Sequence, residues 1–182
     1  HAIIEMSSEA VPQFRHKFVY LDALIFTNLA SEHIESHGSY ENYVKAKLEI
    51  AKILETAQKK NPVIVVNTDD KEAEKFLDLK IKNKVSYSRV DAFNIHSDTD
   101  GSSLQIDKTV IHSSLPGEFN VLNILGAIAL ARFMKIPDET IKRGLESISF
   151  IRGRMEKIEE GQEFPVVVDY AHTPESLKAV YE

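Results

Sequence analysis

Cysteine is absent from the 182-residue chain, which removes disulfides and thiolate metal ligands and fits a reducing compartment, by default the cytoplasm. Long apolar runs are missing as well. No segment approaches the roughly 18 consecutive apolar residues that span a bilayer, and the richest stretch, residues 121–131, is interrupted by Asn123. Nor is there an excess of positive charge: Lys and Arg number 22 against 28 Asp and Glu, a formal net charge of -6. A nucleic-acid partner would need a local basic patch, and the sequence carries none. Signal peptide, internal repeat and low-complexity tract are equally lacking. What is present is a globular composition, 43% hydrophobic, enough to bury a substantial core in one domain or one domain plus part of another. The chain opens on His1 and runs directly into the strand-like AIIEM, as a piece of something longer would.

Several short apolar runs stop abruptly at polar residues of the kinds that handle metals and phosphates. Residues 2–4 lead to Glu5, residues 23–26 to Thr27 and Asn28, residues 63–66 to Asn67, Asp69 and Asp70, and residues 166–168 to Asp169. In open α/β sheets, ligands bind beyond the carboxyl ends of the strands, so these endings can converge on one site. Turn chemistry is the competing explanation for each ending, because Asn and Asp also favour turns for local reasons.

Helical periodicity covers residues 40–58, 71–77, 118–134 and 137–147, alternating with the strand-like runs. The expected fold is therefore α/β, a mostly parallel sheet flanked by helices. Residues 85–111 hold VSYS, AFNIH, SLQID and TVIHS around a stretch rich in Asp, Gly and Ser, and are expected to form a small antiparallel β insertion. Near the end, FPVVVD reads as a strand, YAH as a loop, Thr173 as an N-cap and Pro174 as the first residue of a helix. Residues 151–155, with Gly153, are a candidate hinge before this βα unit.

The stretch TNLASEHIESHGSYENYVKAK contains a lysine where a helix should be apolar. Tyr43, Lys47, Ile50 and Leu54 share one face, while Lys45, Glu49, Lys52, Thr56 and Lys59 fall mostly on the other. An inward ammonium must find an anion, lose its proton or be chemically converted. Alternatively its stem lies along apolar surface and lifts the charge into water. Reaction with carbon dioxide would give a carbamate, a carboxylate-like ligand. Glu5 and His33 supply an oxygen and an imidazole nitrogen suited to divalent ions, with His37 a second candidate. Asn120 and Asn123 lie on one face near a helix start, where carboxamides either read a purine edge or cap the helix. Arg154 and Asp169 bracket the hinge as candidate phosphate and ribose contacts.

Taken in order, EMSSEAVPQFR, TNLASEHIESHGSYENYVKAK, VVNTDD, GEFNVLNILGAIALA, GRMEKI and VVVDYAHTPESL resemble the Mur ligases, ATP-dependent amide-forming enzymes of peptidoglycan synthesis. Within that family the tripeptide-synthetase branch is the most similar. The matched segments span nearly the whole chain, and their combination is specific where each alone is weak. The resemblance implies that residues 1–150 belong to the central ATP-binding domain and residues 151–182 start the C-terminal Rossmann-like domain.

It also implies roles. Glu5, His33 and a carbamylated Lys47 attend a magnesium ion (Mg2+) at the ATP phosphates, with Lys47 and His33 serving catalysis. Asn120 and Asn123 meet the adenine, Arg154 and Asp169 meet ATP from the following domain, and His172 borders the nucleotide. Ser7, Gln13 and Arg15 contact the UDP-MurNAc-peptide, and an amino acid is the other substrate. ATP phosphorylates the peptide carboxylate, and the amine of the amino acid attacks the acyl phosphate.

This sequence departs from the family in lacking G-x-x-x-x-G-K-[ST], the N-terminal domain and most of the C-terminal domain, and Glu9 stands where the branch commonly has histidine. Other amide ligases of the superfamily, such as cyanophycin or folylpolyglutamate synthetases, and a nucleotide-binding module without catalysis, are the competing functions. Purified alone, the 182-residue chain is expected to release no phosphate from ATP above background. Measurable ligase turnover in a phosphate-release assay would overturn that expectation.

Overall fold

A computed structural model describes residues 1–30, 34–57 and 59–181. The chain divides into two compact units, His1–Tyr87 and Ser88–Glu182. In the first, β1 (Ala23–Phe26), α1 (Ile34–His37), α2 (Tyr40–Ala51), β2 (Val63–Asn67), α3 (Ala73–Leu77) and β3 (Asn83–Tyr87) follow one another. The strands form a parallel sheet in the order β1-β2-β3, with Ile64 opposite Leu24 on one side and Lys84 on the other.

β2 is VIVVN, buried at every position. A strand in the middle of a parallel sheet is covered on both faces, so it needs apolar residues without alternation. Around it pack Phe26, Leu29, Tyr43, Val44, Leu54 and Phe76. Phe26 and Phe76 stack with centroids 3.8 Å apart and planes at 20°. Ser39 caps α2 by accepting from the Asn42 amide at 3.2 Å. The helical pattern expected over residues 40–58 gives way after Ala51 to a tighter turn at Lys52–Leu54. Leu54 is buried whereas Glu55 and Thr56 are exposed, so little packing extends the helix further.

Two local expectations give way. Residues 2–4 are exposed and form no strand, since no described strand pairs with them. Val85, Ser86 and Tyr87 of VSYS join the parallel sheet as part of β3, because Val65 of β2 takes Val85 as its register partner.

The second unit contains β4 (Phe93–Asp98), β5 (Gly101–Ile106), β6 (Thr109–Ser113), α4 (Glu118–Phe133), α5 (Asp138–Glu146), β7 (Glu156–Ile158), β8 (Val166–Val168) and α6 (Pro174–Tyr181). The antiparallel insertion is present as β4-β5-β6. Asp98 makes its first turn by accepting from the amides of Asp100 at 2.7 Å and Gly101 at 3.2 Å. β5 alternates, burying Ser102, Leu104 and Ile106, and α4 packs against this strand while α5 packs against β6. Gly117 precedes α4 at φ 93°, and a Cβ there would lie 2.6 Å from the Phe119 ring, so any other residue would be strained and would have to displace that ring. β7 and β8 form a separate antiparallel pair.

The expected cap on α6 is in place. The Ser176 amide donates to Thr173 Oγ1 at 3.2 Å and the Thr173 amide to Ser176 Oγ at 2.9 Å. This is a reciprocal arrangement of the capping-box kind. Among the described residues no helix is long and apolar enough to cross a membrane.

Phe76 is 1% exposed and fills the centre of the first unit's core. Phe76→Ala is expected to cost about 3–5 kcal/mol in urea denaturation. A loss below about 1 kcal/mol would show that the stack contributes little.

Candidate functional site

The polar residues that end β1 and β2 are bonded chiefly to backbone. Asn67 Nδ2 donates to the Thr27 carbonyl at 2.7 Å, and Asn67 Oδ1 accepts from the Asp69 amide at 3.1 Å. Asp70 Oδ2 accepts from the Leu29 amide at 2.7 Å and its Oδ1 from the Glu72 amide at 2.8 Å. The TNL loop is thus stapled to the turn after β2. For these residues the structure gives turn chemistry that positions the loop.

Of the residues expected at a divalent ion, Glu5 is exposed in a segment without regular structure, and His33 lies outside the described residues. Lys47 is half-buried on α2, with Tyr43 and Ile50, the residues one turn either side of it, buried. Its Nζ stands 5.9 Å from the centroid of the Tyr43 ring, within cation–π range. Among the described residues no three His, Asp or Glu side chains gather as a metal site. The Glu5 carboxylate is an oxygen donor of the type magnesium takes, whereas Lys47 fits such an ion only once converted to a carbamate.

His37, the second histidine candidate, shares a 2.9 Å hydrogen bond between its Nε2 and Ser8 Oγ. Beside it, Ser36 Oγ donates to Glu9 Oε1 at 3.2 Å, so the glutamate that departs from the family pattern has a local partner. Ser7, Gln13 and Arg15 are all exposed. Arg15 Nη2 donates to Ser7 Oγ at 3.4 Å, and the Arg15 amide donates to the Ala10 carbonyl at 2.9 Å, folding the segment back on itself. Phe14, between Gln13 and Arg15, has φ 56°, a costly conformation for a bulky residue.

In the second unit the two asparagines differ. Asn120 is 4% exposed and donates to the Pro116 carbonyl at 2.7 Å, while its Oδ1 accepts from Asn123 Nδ2 at 3.3 Å. Asn123 is exposed. The buried carboxamide therefore secures the start of α4 and orients the one at the surface.

Asp169 accepts from the Met155 amide at 2.8 Å and the Ala171 amide at 2.7 Å, and the Tyr170 amide donates to the Gly153 carbonyl at 2.9 Å. These bonds join residues 153–155 to the loop after β8. A carboxylate has about four acceptor sites, so Asp169 keeps capacity for hydroxyl donors. Arg154 is exposed, its guanidinium 5.5 Å from the Tyr170 ring centroid. His172 Nδ1 donates to the Tyr170 carbonyl at 2.9 Å.

Within this unit a cavity of about 290 Å³ is lined by Asp100, Leu115, Pro116, Phe150, Arg154 and Met155, among others. Its lining combines apolar side chains with the cations of Arg154 and Lys157 and the carboxylates of Asp100 and Glu156. Its size lies at the lower end of small-ligand sites.

A family model described as the Mur ligase middle domain matches residues 1–131. This chain belongs to the Mur ligase family. Two similar relatives carry the name UDP-N-acetylmuramoyl-L-alanyl-D-glutamate--2,6-diaminopimelate ligase. The protein from Halalkalibacterium halodurans is 34% identical over 98% of this chain and 38% of its own length. That from Listeria monocytogenes is 36% identical over 100% of this chain and 39% of its own length. This chain therefore spans under two fifths of these curated relatives. Among solved structures, MurF from Acinetobacter baumannii superposes with a TM-score of 0.79 at 22% identity, covering 91% of this chain and 38% of that one, a likeness of fold. The parallel sheet flanked by helices, with its antiparallel additions, is thus a Mur ligase architecture.

Sequence reasoning passed over a polar cluster beside the core of this Mur ligase unit. Glu72 is 7% exposed. It accepts from Tyr40 Oη at 3.1 Å and pairs with Lys75 at 2.5 Å, while Lys71 Nζ sits 4.3 Å from the Tyr40 ring centroid. The Glu-x-x-Lys spacing of Glu72 and Lys75 was a visible signal, but the Tyr40 partner is distant in sequence. Lys75, then Tyr40, holds the Glu72 carboxyl below its ordinary value, against the opposing effect of burial. Because the folded value is the lower one, this stabilisation is present above the ordinary value of 4.5 and fades as pH falls through the folded value. Lys75 is largely exposed, which screens the pair. Glu72→Gln is expected to lower the Tm at about pH 7, with the gap to the parent narrowing as the pH is taken well below 4.5. Paired thermal melts at neutral and acid pH check this, and an equal gap at both would contradict it.

Proposed function

We propose that this chain is part of an ATP-dependent acid–amino-acid ligase that extends a UDP-MurNAc-peptide by one residue in peptidoglycan synthesis. The observation that carries the reading is identity of 34–36% along essentially the whole chain to ligases named for UDP-N-acetylmuramoyl-L-alanyl-D-glutamate and 2,6-diaminopimelate. Diaminopimelate is accordingly the amino acid to test first. In this reading residues 1–150 belong to the central ATP-binding domain and residues 151–182 open the next. ATP as reactant makes the cytoplasm the compartment.

The charges and donors of the chain suit the parts. Arg154, which lines the cavity, offers a guanidinium to phosphate oxygens, and Asp169 offers acceptors to ribose hydroxyls. Asn123, oriented by Asn120, presents a carboxamide to the adenine edge, and the apolar wall of Leu115, Pro116 and Met155 suits a base. His172 borders the nucleotide. Ser7, Gln13 and Arg15, all exposed, contact the UDP-linked peptide substrate in this reading. Glu5, His33 and Lys47 as its carbamate would hold Mg2+, whose charge, when bound, offsets that of the phosphoryl oxygens.

In the reaction a carboxylate oxygen of the peptide bonds to the γ-phosphorus of ATP and ADP departs. The amine nitrogen of the amino acid then bonds to the acyl carbon, losing a proton, and phosphate leaves. Exclusion of water protects the acyl phosphate between the two steps.

The full-length protein, given ATP, magnesium and UDP-MurNAc-L-Ala-D-Glu, is expected to release phosphate only when diaminopimelate or another amino acid is added. Turnover with a folate or cyanophycin acceptor instead would move it to another branch, and no turnover with any acceptor would leave a binding module. Asn123→Ala in the full-length enzyme is expected to raise the KM for ATP about tenfold, the loss of a hydrogen bond of about 1.4 kcal/mol. An unchanged KM would remove Asn123 from the nucleotide site.

A further inference from the structure

The family reading leaves His37 without a role, yet the structure fixes it from three directions. Its carbonyl accepts from Asn42 Nδ2 at 3.0 Å, its ring lies 5.5 Å from that of the buried Tyr43, and its Nε2 shares a hydrogen bond of 2.9 Å with Ser8 Oγ. Ser8 is 1% exposed, so a hydroxyl with no other described side-chain partner than His37 would be costly to strand there. Tyr43 in turn carries the Lys47 Nζ over its face at 5.9 Å. One imidazole therefore connects the segment bearing Ser7 and Arg15 with the helix bearing Lys47.

We propose that His37 is a positioning residue, which holds the segment of residues 7–15 against α1 and α2 and so sets the substrate-contacting side chains relative to Lys47. The inference rests on the ligase reading above for its consequence, and on this unit's geometry alone for the tether. His37→Phe keeps a ring beside Tyr43 and removes the hydrogen bond, Ser8→Ala removes the other partner, and His37→Gln restores a donor and acceptor of similar reach.

The test uses the full-length protein. In both His37→Phe and Ser8→Ala, the amides of Ala10, Val11 and Arg15, all hydrogen-bonded in this segment, are expected to exchange with deuterium about tenfold faster. The KM for UDP-MurNAc-L-Ala-D-Glu is expected to rise about tenfold with the KM for ATP unchanged, and the double variant to show about the same tenfold effect, since both changes break one bond. His37→Gln recovers part of both losses.

A residue that merely supported the fold would lower kcat through loss of folded enzyme and leave each KM alone. That result, unchanged exchange, or multiplying effects in the double variant would each overturn the proposal. Absence of ligation by the unsubstituted enzyme would remove the ligase reading only, and the exchange measurement would still decide the tether.

Discussion

The first unit depends on one fully buried strand. β2 pairs on both edges and is buried at every position, so its backbone is held by two neighbouring strands and every side chain through Val66 can be apolar. Where it ends, the chain must return to polar residues, and Asn67 does so while still buried. Its carboxamide accounts for a donor and an acceptor by bonding Thr27 and Asp69. The TNL loop is held by that one side chain, at Thr27, and by Asp70, at the Leu29 amide.

A second theme is the use of polar side chains to hold backbone so that others can face outward. Asn120 is buried and bonded, and Asn123 is exposed beside it. Asp169 clamps residues 153–155 to its own loop and leaves Arg154 at the surface. Asp70 secures Leu29, and His37 secures Ser8. In each pair a residue that composition alone would assign to a ligand also answers a folding requirement. A buried donor or acceptor without a partner costs about 1–3 kcal/mol, so such bonds come before any ligand does. The two roles are compatible where acceptor capacity remains, as at Asp169.

Much of the architecture was legible in the sequence. The apolar run VIVV, the helical periods over α2 and α4, the Asp-rich turn at Asp98, and the Thr173-Pro174 helix start all express local rules of periodicity and capping. Family membership was legible too, from motifs in a fixed order. Less legible was the fate of short apolar segments. AIIEM and VSYS look alike as sequence, yet β3 pairs with β2 and residues 2–4 pair with no described strand, because strand formation is decided by a partner distant in the chain.

The same distinction separates the site residues. Sequence by itself placed Lys47 on the face of Tyr43 and Ile50, because a helix of fixed period leaves no other choice. It also set the Asn120 and Asn123 pair and the cap on α6. The tertiary structure alone decided that Lys47 is half-buried over an aromatic ring, that Tyr40 meets Glu72, and that His37 reaches Ser8. The last two are contacts between residues far apart in sequence, and the burial of Lys47, though not its neighbour one turn away, likewise depends on what packs against α2. Helical period and capping preference act over a few residues, whereas such contacts exist only after hydrophobic burial has brought separate segments together.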